Sequence, residues 1–257
     1  MGQLDGRVAV ITGGGRGIGR AIARRYAAEG ATIVVSSRTA SDLDAVVAEA
    51  KAGGSDGLAV VADAMDRQSA RLPVTEALDR FGRVDVLVNN VGGTVGKAPD
   101  PYAADDATFE NTLVLCLTSA WWTTSAVLPS MRDAGFGRII SIGSGAARHA
   151  SGSLPYTTAK HGLVGFTVQL AQIVGEHGIT VNLLSPGWTN TSLVDWDRIA
   201  KAKGVTPEVA QAQSARESAQ NRVLEPEELA GMATLLASAD GSGITGQMIA
   251  VDGGYRL

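Results

Sequence analysis

Short runs of apolar, largely β-branched residues alternate with longer helix-like stretches along nearly the whole chain. The runs at 8–12, 32–36, 58–61, 86–89, 138–142, 180–184 and 248–251 read as strands. They are continuously apolar rather than alternating, as expected when helices cover both faces of a sheet. The stretches at 18–29, 41–52, 69–81, 107–134, 156–176 and 227–237 predict helices. This order predicts an α/β fold, a single Rossmann-like, doubly wound domain over 1–257 with about seven parallel strands flanked by helices.

One segment breaks the rhythm. Residues 188–222 contain no strand pattern and sit between two well-formed units, with short helices expected at 195–203 and 207–220. Long excursions in compact domains are often lids or binding loops, and this one is expected to cover a substrate site.

Composition narrows the function classes. A net charge of -4 with scattered Lys and Arg argues against a nucleic-acid partner, which needs a clustered basic excess. Cys116 is the single cysteine, so internal disulfides and Cys-rich metal sites are excluded and no metal is expected. That fits a reducing, cytoplasmic setting. The residues before the first strand show no secretory leader pattern, and Gly6 stands where a myristoylation site wants Ser or Thr. The apolar stretch 113–128 is too short for a membrane span and reads as a buried helix. Asn190-Thr191-Ser192 fits a glycosylation acceptor, which is discounted without such a leader.

The first strand ends in TGGGRGIG, Thr12 to Gly19, just before the first helix. Glycines there let backbone N–H groups approach a pyrophosphate at the positive end of a helix. At the end of the second strand, where an NAD-binding chain wants an acid for the ribose hydroxyls, the sequence reads VVSSRT, with Ser37 and Arg38 and no carboxylate. Arg16 lies in the Gly-rich turn. Two guanidiniums suit a 2′-phosphate, so the expected cofactor is NADP(H).

At this point the chain resembles the short-chain dehydrogenase/reductase family of the Tyr-x-x-x-Lys type, over nearly its whole length. The matching segments are TGGGRGIG, DVLVNNVG at Asp85, SIGS ending at Ser144, YTTAK at Tyr156, VNLLSPG at Val181 and ITGQMIAVDGG at Ile244. The resemblance implies that Ser144, Tyr156 and Lys160 are catalytic. It implies a cofactor turn of Gly13, Gly15, Arg16, Gly17, Ile18 and Gly19, and adenosine contacts from Ser37, Arg38, Asp63 and Ala64. Asn90, Val91 and Gly92 would pass under the ribose, and Asn89 would stabilise the sheet. Pro186, Gly187, Thr189 and Thr191 would meet the nicotinamide end, with Tyr156 and Lys160 at its ribose. The family also implies a homotetramer or homodimer through the helices at 107–134 and 156–176, where Trp121 and Trp122 suit an interface or a core equally.

The chemistry stands without the family. Tyr156 and Lys160 are four apart on a predicted helix and share one face. A free phenol holds its proton to about pH 10, and a neighbouring ammonium favours the phenolate. Such a tyrosine can protonate a carbonyl oxygen, or take a hydroxyl proton in reverse, while Ser144 hydrogen-bonds the same oxygen. The alternative role for Ser144 is only to cap or end a strand. The expected reaction is hydride transfer between the nicotinamide and a small-molecule carbonyl or secondary alcohol. An NAD-linked alcohol dehydrogenase and a non-catalytic NADP(H)-binding regulator stay open as alternatives.

Two departures from the family stand out. Cys116 occupies the place of an asparagine that helps hold a helix distortion and a water relay, and a thiol is expected to lack the amide's hydrogen bonds. Val91 replaces a common alanine. Substrate contacts are expected at 93–98, 146–154 and 188–196, with Trp188 and Trp196 as apolar candidates that could equally pack the lid. His149 could border that pocket or sit in a solvated loop; His161 and His177 show no ligand-like clustering.

Overall fold

The computed structural model describes residues 2–96, 102, 106–150 and 152–257. Its centre is a parallel seven-stranded sheet: β1 (Val8–Thr12), β2 (Thr32–Ser37), β3 (Gly57–Val61), β4 (Val86–Asn89), β5 (Gly137–Ile142), β6 (Ile179–Pro186) and β7 (Met248–Val251), in the order β3-β2-β1-β4-β5-β6-β7. The chain reverses its direction of travel between β1 and β4. Strand order reversal opens a crevice beyond the carboxyl ends of the strands, where ligands of such sheets bind.

The helices are α1 (Gly17–Ala28), α2 (Ala40–Ala52), α3 (Arg67–Phe81), α4 (Asp106–Leu113), α5 (Ser119–Ala134), α6 (Leu154–Val174), α7 (Trp196–Lys203), α8 (Pro207–Ala215) and α9 (Pro226–Ala237). Their ends follow local chemistry. The Asp66 carboxylate accepts from Ser69 N–H at the start of α3, and Gly82, at φ 73°, ends it in the left-handed region. Asp195 caps α7 in the same way.

Both sheet faces are buried. Ala9, Ile11, Ile33, Val35 and Val88 pack with Ile22, Tyr26, Leu229 and Leu236 on one side. Val8, Val10, Val34 and Leu87 pack with Val74, Val127, Met131 and Val174 on the other. Successive side chains of β1 therefore enter different cores, which explains its unbroken apolar run. Tyr26 is fully buried, donates to Ala233 O at 2.8 Å, and has its proton held well above the usual tyrosine range by burial.

The run expected as helix at 107–134 is helical with a π-helical turn, Val114–Thr118, between α4 and α5, at Cys116. The helical run Asp106–Ala134 is 29 residues long and apolar enough to cross a membrane. In the fold, however, its Trp122, Val127 and Met131 are buried against the sheet and α3, as in a core helix. The helix expected over 207–220 stops at Ala215. Beyond it the chain peels away: Ser218 bridges Tyr255 antiparallel, and Ala219 and Gln220 donate to Gly254 O and Gly253 O at 3.0 Å each.

Candidate active site

The crevice forms a cleft of about 490 Å³ that runs from the Gly-rich turn to α6. At one end lie Gly13, Arg16, Gly17 and Ile18, with Ser37, Arg38, Asp63 and Ala64. Asn90, Val91, Gly92, Tyr156, Lys160, Pro186 and Thr191 continue it. Gly13 and Gly17, at φ 63° and 54°, adopt the left-handed conformation the turn requires. Gly19 is buried behind the turn, where a Cβ would stand 2.4 Å from Gly13 O.

Not every expected residue lines the cleft. Gly15 packs under α2, with Asp42 and Leu43 within contact distance of any added Cβ. Gly187 lies tight against Asp252, and Thr189 is buried, donating to Gly187 O at 3.1 Å. Ser144 caps the 3-10 turn Gly145–Ala147, its Oγ accepting from Ala146 N–H at 3.1 Å, while Ile142 and Gly143 just before it line the cleft. Of the pocket residues expected at 93–98, Lys97 and Ala98 lie outside the described residues, as does Ser151 of 146–154.

The polar end carries a carboxylate the sequence reading did not place there. Asp42, in the first turn of α2, lines the same end as Arg16 and Arg38. Both arginines are exposed, and among the described residues neither side chain has a hydrogen bond or ion pair. Asp63 Oδ1 accepts from Met65 N–H at 2.9 Å, and its own N–H donates to Ser69 Oγ at 2.8 Å.

The turn after β4 is held by contacts the sequence did not reveal. Asn90 Nδ2 donates to Thr12 O and Gly13 O at 3.0 and 3.1 Å, so its amide shapes the Gly-rich turn. Thr12 Oγ1 accepts from Asn90 N–H at 3.1 Å. Asn89 works elsewhere: it donates to Thr124 Oγ1 at 3.1 Å and accepts from Thr123 Oγ1 at 2.6 Å, tying β4 to α5.

Lys160 is 2% exposed. Its Nζ donates to Ile142 O at 2.7 Å and lies 5.5 Å from the centroid of the Tyr156 ring. A Cβ on Gly92 would come within 3.1 Å of the same nitrogen. The ammonium is thus fixed between the end of β5 and the turn after β4, beside a half-buried phenol at the cleft wall.

Cys116 sits inside the π-helical turn, and its thiol has polar partners of its own. Gly93 N–H donates to Sγ at 3.2 Å, and the thiol donates to Gly93 O at 3.1 Å. Four residues earlier, Thr112 Oγ1 accepts from Val95 N–H at 3.2 Å. One helix face therefore grips alternate residues of the loop that leaves Gly92.

The aromatic candidates divide. Trp188 and Trp196 pack against each other, ring centroids 5.7 Å apart, and neither lines the cleft. Ser192 and Leu193 of the excursion do line it. His149 stands edge-on to Tyr255 at 5.9 Å. Trp122 is buried, whereas Trp121 is 47% exposed. Among the described residues, no group of three or more His, Cys, Asp or Glu is gathered as a metal site would require.

Comparison with known proteins agrees with this architecture. The family described as short chain dehydrogenase matches residues 7–201. A short-chain reductase protein of Streptomyces niveus, NovJ, is 37% identical over 96% of this chain and 93% of its own. The crystal structure of levodione reductase superposes with a TM-score of 0.91 at 31% identity, covering 97% of each chain. A blue fluorescent protein from a metagenomic library, solved in complex with NADPH, gives 0.88 at 35% identity, over 99% of this chain and 100% of that one. The chain belongs to the short-chain dehydrogenase family, the oxidoreductases that act on carbonyl and alcohol groups with NAD(P)(H).

Proposed function

We propose that this chain is an NADP(H)-dependent reductase of ketones and aldehydes, reversible in principle, with Tyr156 as its general acid and base. The observation that carries the reading is the buried Lys160 ammonium, pinned to Ile142 O beside the Tyr156 ring at the wall of a cleft that begins in a Gly-rich turn.

When bound, NADP(H) supplies the hydride. The left-handed glycines at 13 and 17 suit a diphosphate, because they leave the start of α1 open to it. Arg16 and Arg38, unpaired among the described residues, suit a 2′-phosphate, with Ser37 alongside. Asp63, Ala64, Asn90, Val91 and Gly92 would wall the adenosine and ribose, and Pro186 and Thr191 the nicotinamide end. Gly15, Gly19, Gly187 and Thr189 would act by shaping the backbone around it.

In reduction, the Tyr156 hydroxyl gives its proton to the substrate oxygen as negative charge develops there. The Lys160 ammonium favours the phenolate left behind. In the reverse direction that phenolate takes the hydroxyl proton. Ser144 already accepts at its Oγ from Ala146, so its own proton is available to the substrate oxygen. Beyond Tyr156 the cleft is lined by Thr94, Val95, Leu115, Ser192 and Leu193, with no charged side chain among these described residues. That lining favours an uncharged, moderately apolar carbonyl compound.

The 188–222 excursion is read as the substrate cover of a single 1–257 domain, since Thr191, Ser192 and Leu193 belong to it. Exposed Trp121 and Val168, on α5 and α6, support assembly as a dimer or tetramer through those helices. Sedimentation as a monomer at micromolar concentration would exclude it. A buried free thiol suits the reducing cytoplasm.

One observation favours a second reading. Asp42 at the polar end would accept from ribose hydroxyls, as an NAD-linked dehydrogenase requires.

The test is NADPH consumption against a panel of uncharged and carboxylated ketones and aldehydes, with Tyr156→Phe in parallel. Turnover of uncharged members, reduced at least ~100-fold in the variant, is expected. Full turnover by Tyr156→Phe would overturn the catalytic assignment. Tight NADPH binding without turnover across the panel would instead identify a binding regulator.

A further inference from the structure

Beyond β7, Tyr255 and Arg256 lie where three separate segments meet. Arg256 Nε and Nη2 donate to Glu217 Oε2 at 3.1 and 2.9 Å, and Arg256 N–H donates to Glu217 O at 2.8 Å. The same carboxylate oxygen accepts from Trp188 Nε1 at 3.3 Å, and Trp188 packs on Trp196 at the start of α7. The remaining arm of the guanidinium, Nη1, donates to Ala150 O at 2.8 Å, in the loop that follows Ser144. Tyr255 is buried against that loop: a Cβ on Gly145 would fall 2.4 Å from its ring, and His149 meets its edge.

Two features show that the junction is built rather than incidental. Arg256 keeps a left-handed backbone, φ 48°, which a non-glycine residue adopts only where its surroundings hold it. Residues 218–220 leave helical geometry to pair with 253–255, which brings Glu217 to the guanidinium. A forked guanidinium serves partners on two sides at once, which a lysine ammonium cannot do with the same geometry.

We propose that Arg256 is a positioning residue that couples two segments next to the cleft, the excursion that carries Ser192 and Leu193 and the loop that follows Ser144. It ties the 188–222 excursion, through Glu217 and Trp188, to the 145–150 loop that carries on from Ser144. The excursion carries Ser192 and Leu193 to the cleft, and the other segment follows directly on Ser144, so the setting of both depends on a side chain that does not itself line the cleft. The link itself stands on contacts within this chain; its consequence for catalysis rests on the reductase reading above.

Amide hydrogen exchange on the full chain tests the link. In Arg256→Ala, exchange is expected to rise about tenfold in both 145–150 and 196–203, while 8–12 stays unchanged. Arg256→Lys is expected to protect only one of the two segments. Glu217→Gln, which keeps the side chain's shape should the alanine variant fold poorly, is expected to loosen 196–203 more than 145–150. No change in 196–203 in either Arg256→Ala or Glu217→Gln overturns the proposal. A rise spread evenly over the whole chain, β1 included, also overturns it, because that is general destabilisation.

Activity supplies the second arm. With acetophenone as the uncharged ketone probe, Arg256→Ala is expected to raise KM about fivefold with kcat and NADPH affinity little changed. If wild type binds NADPH but reduces no ketone while both segments still loosen in the variant, the coupling stands and the reductase reading fails. If wild type turns over and the segments do not loosen, the coupling fails and the reductase reading stands.

Discussion

Cys116 and Gly93 are joined twice, by a backbone N–H to sulfur bond of 3.2 Å and a thiol to carbonyl bond of 3.1 Å. The pair closes the π-helical turn onto the loop leaving β4, one residue beyond the glycine that lies against Lys160. Removing the thiol in Cys116→Ala leaves a buried N–H and carbonyl without partners, a loss of about 1–3 kcal/mol. Thermal unfolding should show it, and kcat/KM should fall with NADPH affinity nearly intact. Cys116→Asn, which can both donate and accept, is expected to keep turnover near wild type. A several-fold gain in that variant would mean the thiol had been impairing the proton relay.

Arg38 and Asp42 make opposing claims on the polar end of the cleft. Arg38→Ala is expected to weaken NADPH binding about tenfold, ~1.4 kcal/mol, and to leave NADH unaffected. Asp42→Ala should leave NADPH affinity unchanged or improved. Titrations in which Asp42→Ala weakens NADH strongly and Arg38→Ala changes nothing would favour the NAD-linked reading.

Gly19 has no room for a side chain. A methyl group there would lie 2.4 Å from Gly13 O and 2.5 Å from Asn90 Nδ2, so the cofactor turn itself would have to shift. Gly19→Ala is therefore expected to cost about 1–3 kcal/mol of stability and to weaken NADPH binding. Unchanged melting and binding would show that the turn tolerates the displacement.

The end of the excursion is fastened to α9 by a forked pair, Arg222 Nη1 and Nη2 to the two oxygens of Glu228 at 2.7 and 2.6 Å. Those bonds, and then the Glu225 N–H, pull the Glu228 carboxyl from 4.5 to about 2. A carboxyl depressed on folding contributes stability that is complete above its ordinary value and is lost as pH falls through the folded one. The difference in Tm between wild type and Glu228→Gln should thus be full at pH 6 and shrink below about pH 4.5. The pair is solvent-exposed, so the difference should be small, a few degrees at most. A difference independent of pH would show that charge plays no part.

How much of this was legible in the chain depends on the range of the interactions. The strands were readable because each carries apolar residues for two cores at once, a requirement met locally and visible as an unbroken run. The Gly-rich turn and the four-residue spacing of Tyr156 and Lys160 were readable for the same reason, since turn conformation and helix face are set within a few residues. Where α8 ends was not readable, because residues 216–220 are helix-compatible until 253–256 offers them strand-like partners.

The remaining features were decided by contacts between residues far apart in sequence. Trp121 and Trp122 are neighbours in the chain, and only packing sends one to solvent and the other to the core. Asp42 belongs to the first turn of a helix by sequence and to the cofactor end of the cleft by fold. The family resemblance marked Cys116 as a missing amide, but the backbone of Gly93, 23 residues away, offers one donor and one acceptor to whatever polar atom arrives there, and a thiol can meet both. The sequence by itself determined the sheet, the turn that opens it and the residue types available for proton transfer, because hydrophobic period and backbone conformation are local. Only the tertiary structure decided which side chains hold the turn, the thiol and the Arg256 junction in place, because hydrogen bonds form between whatever groups the fold brings within about 3 Å of each other.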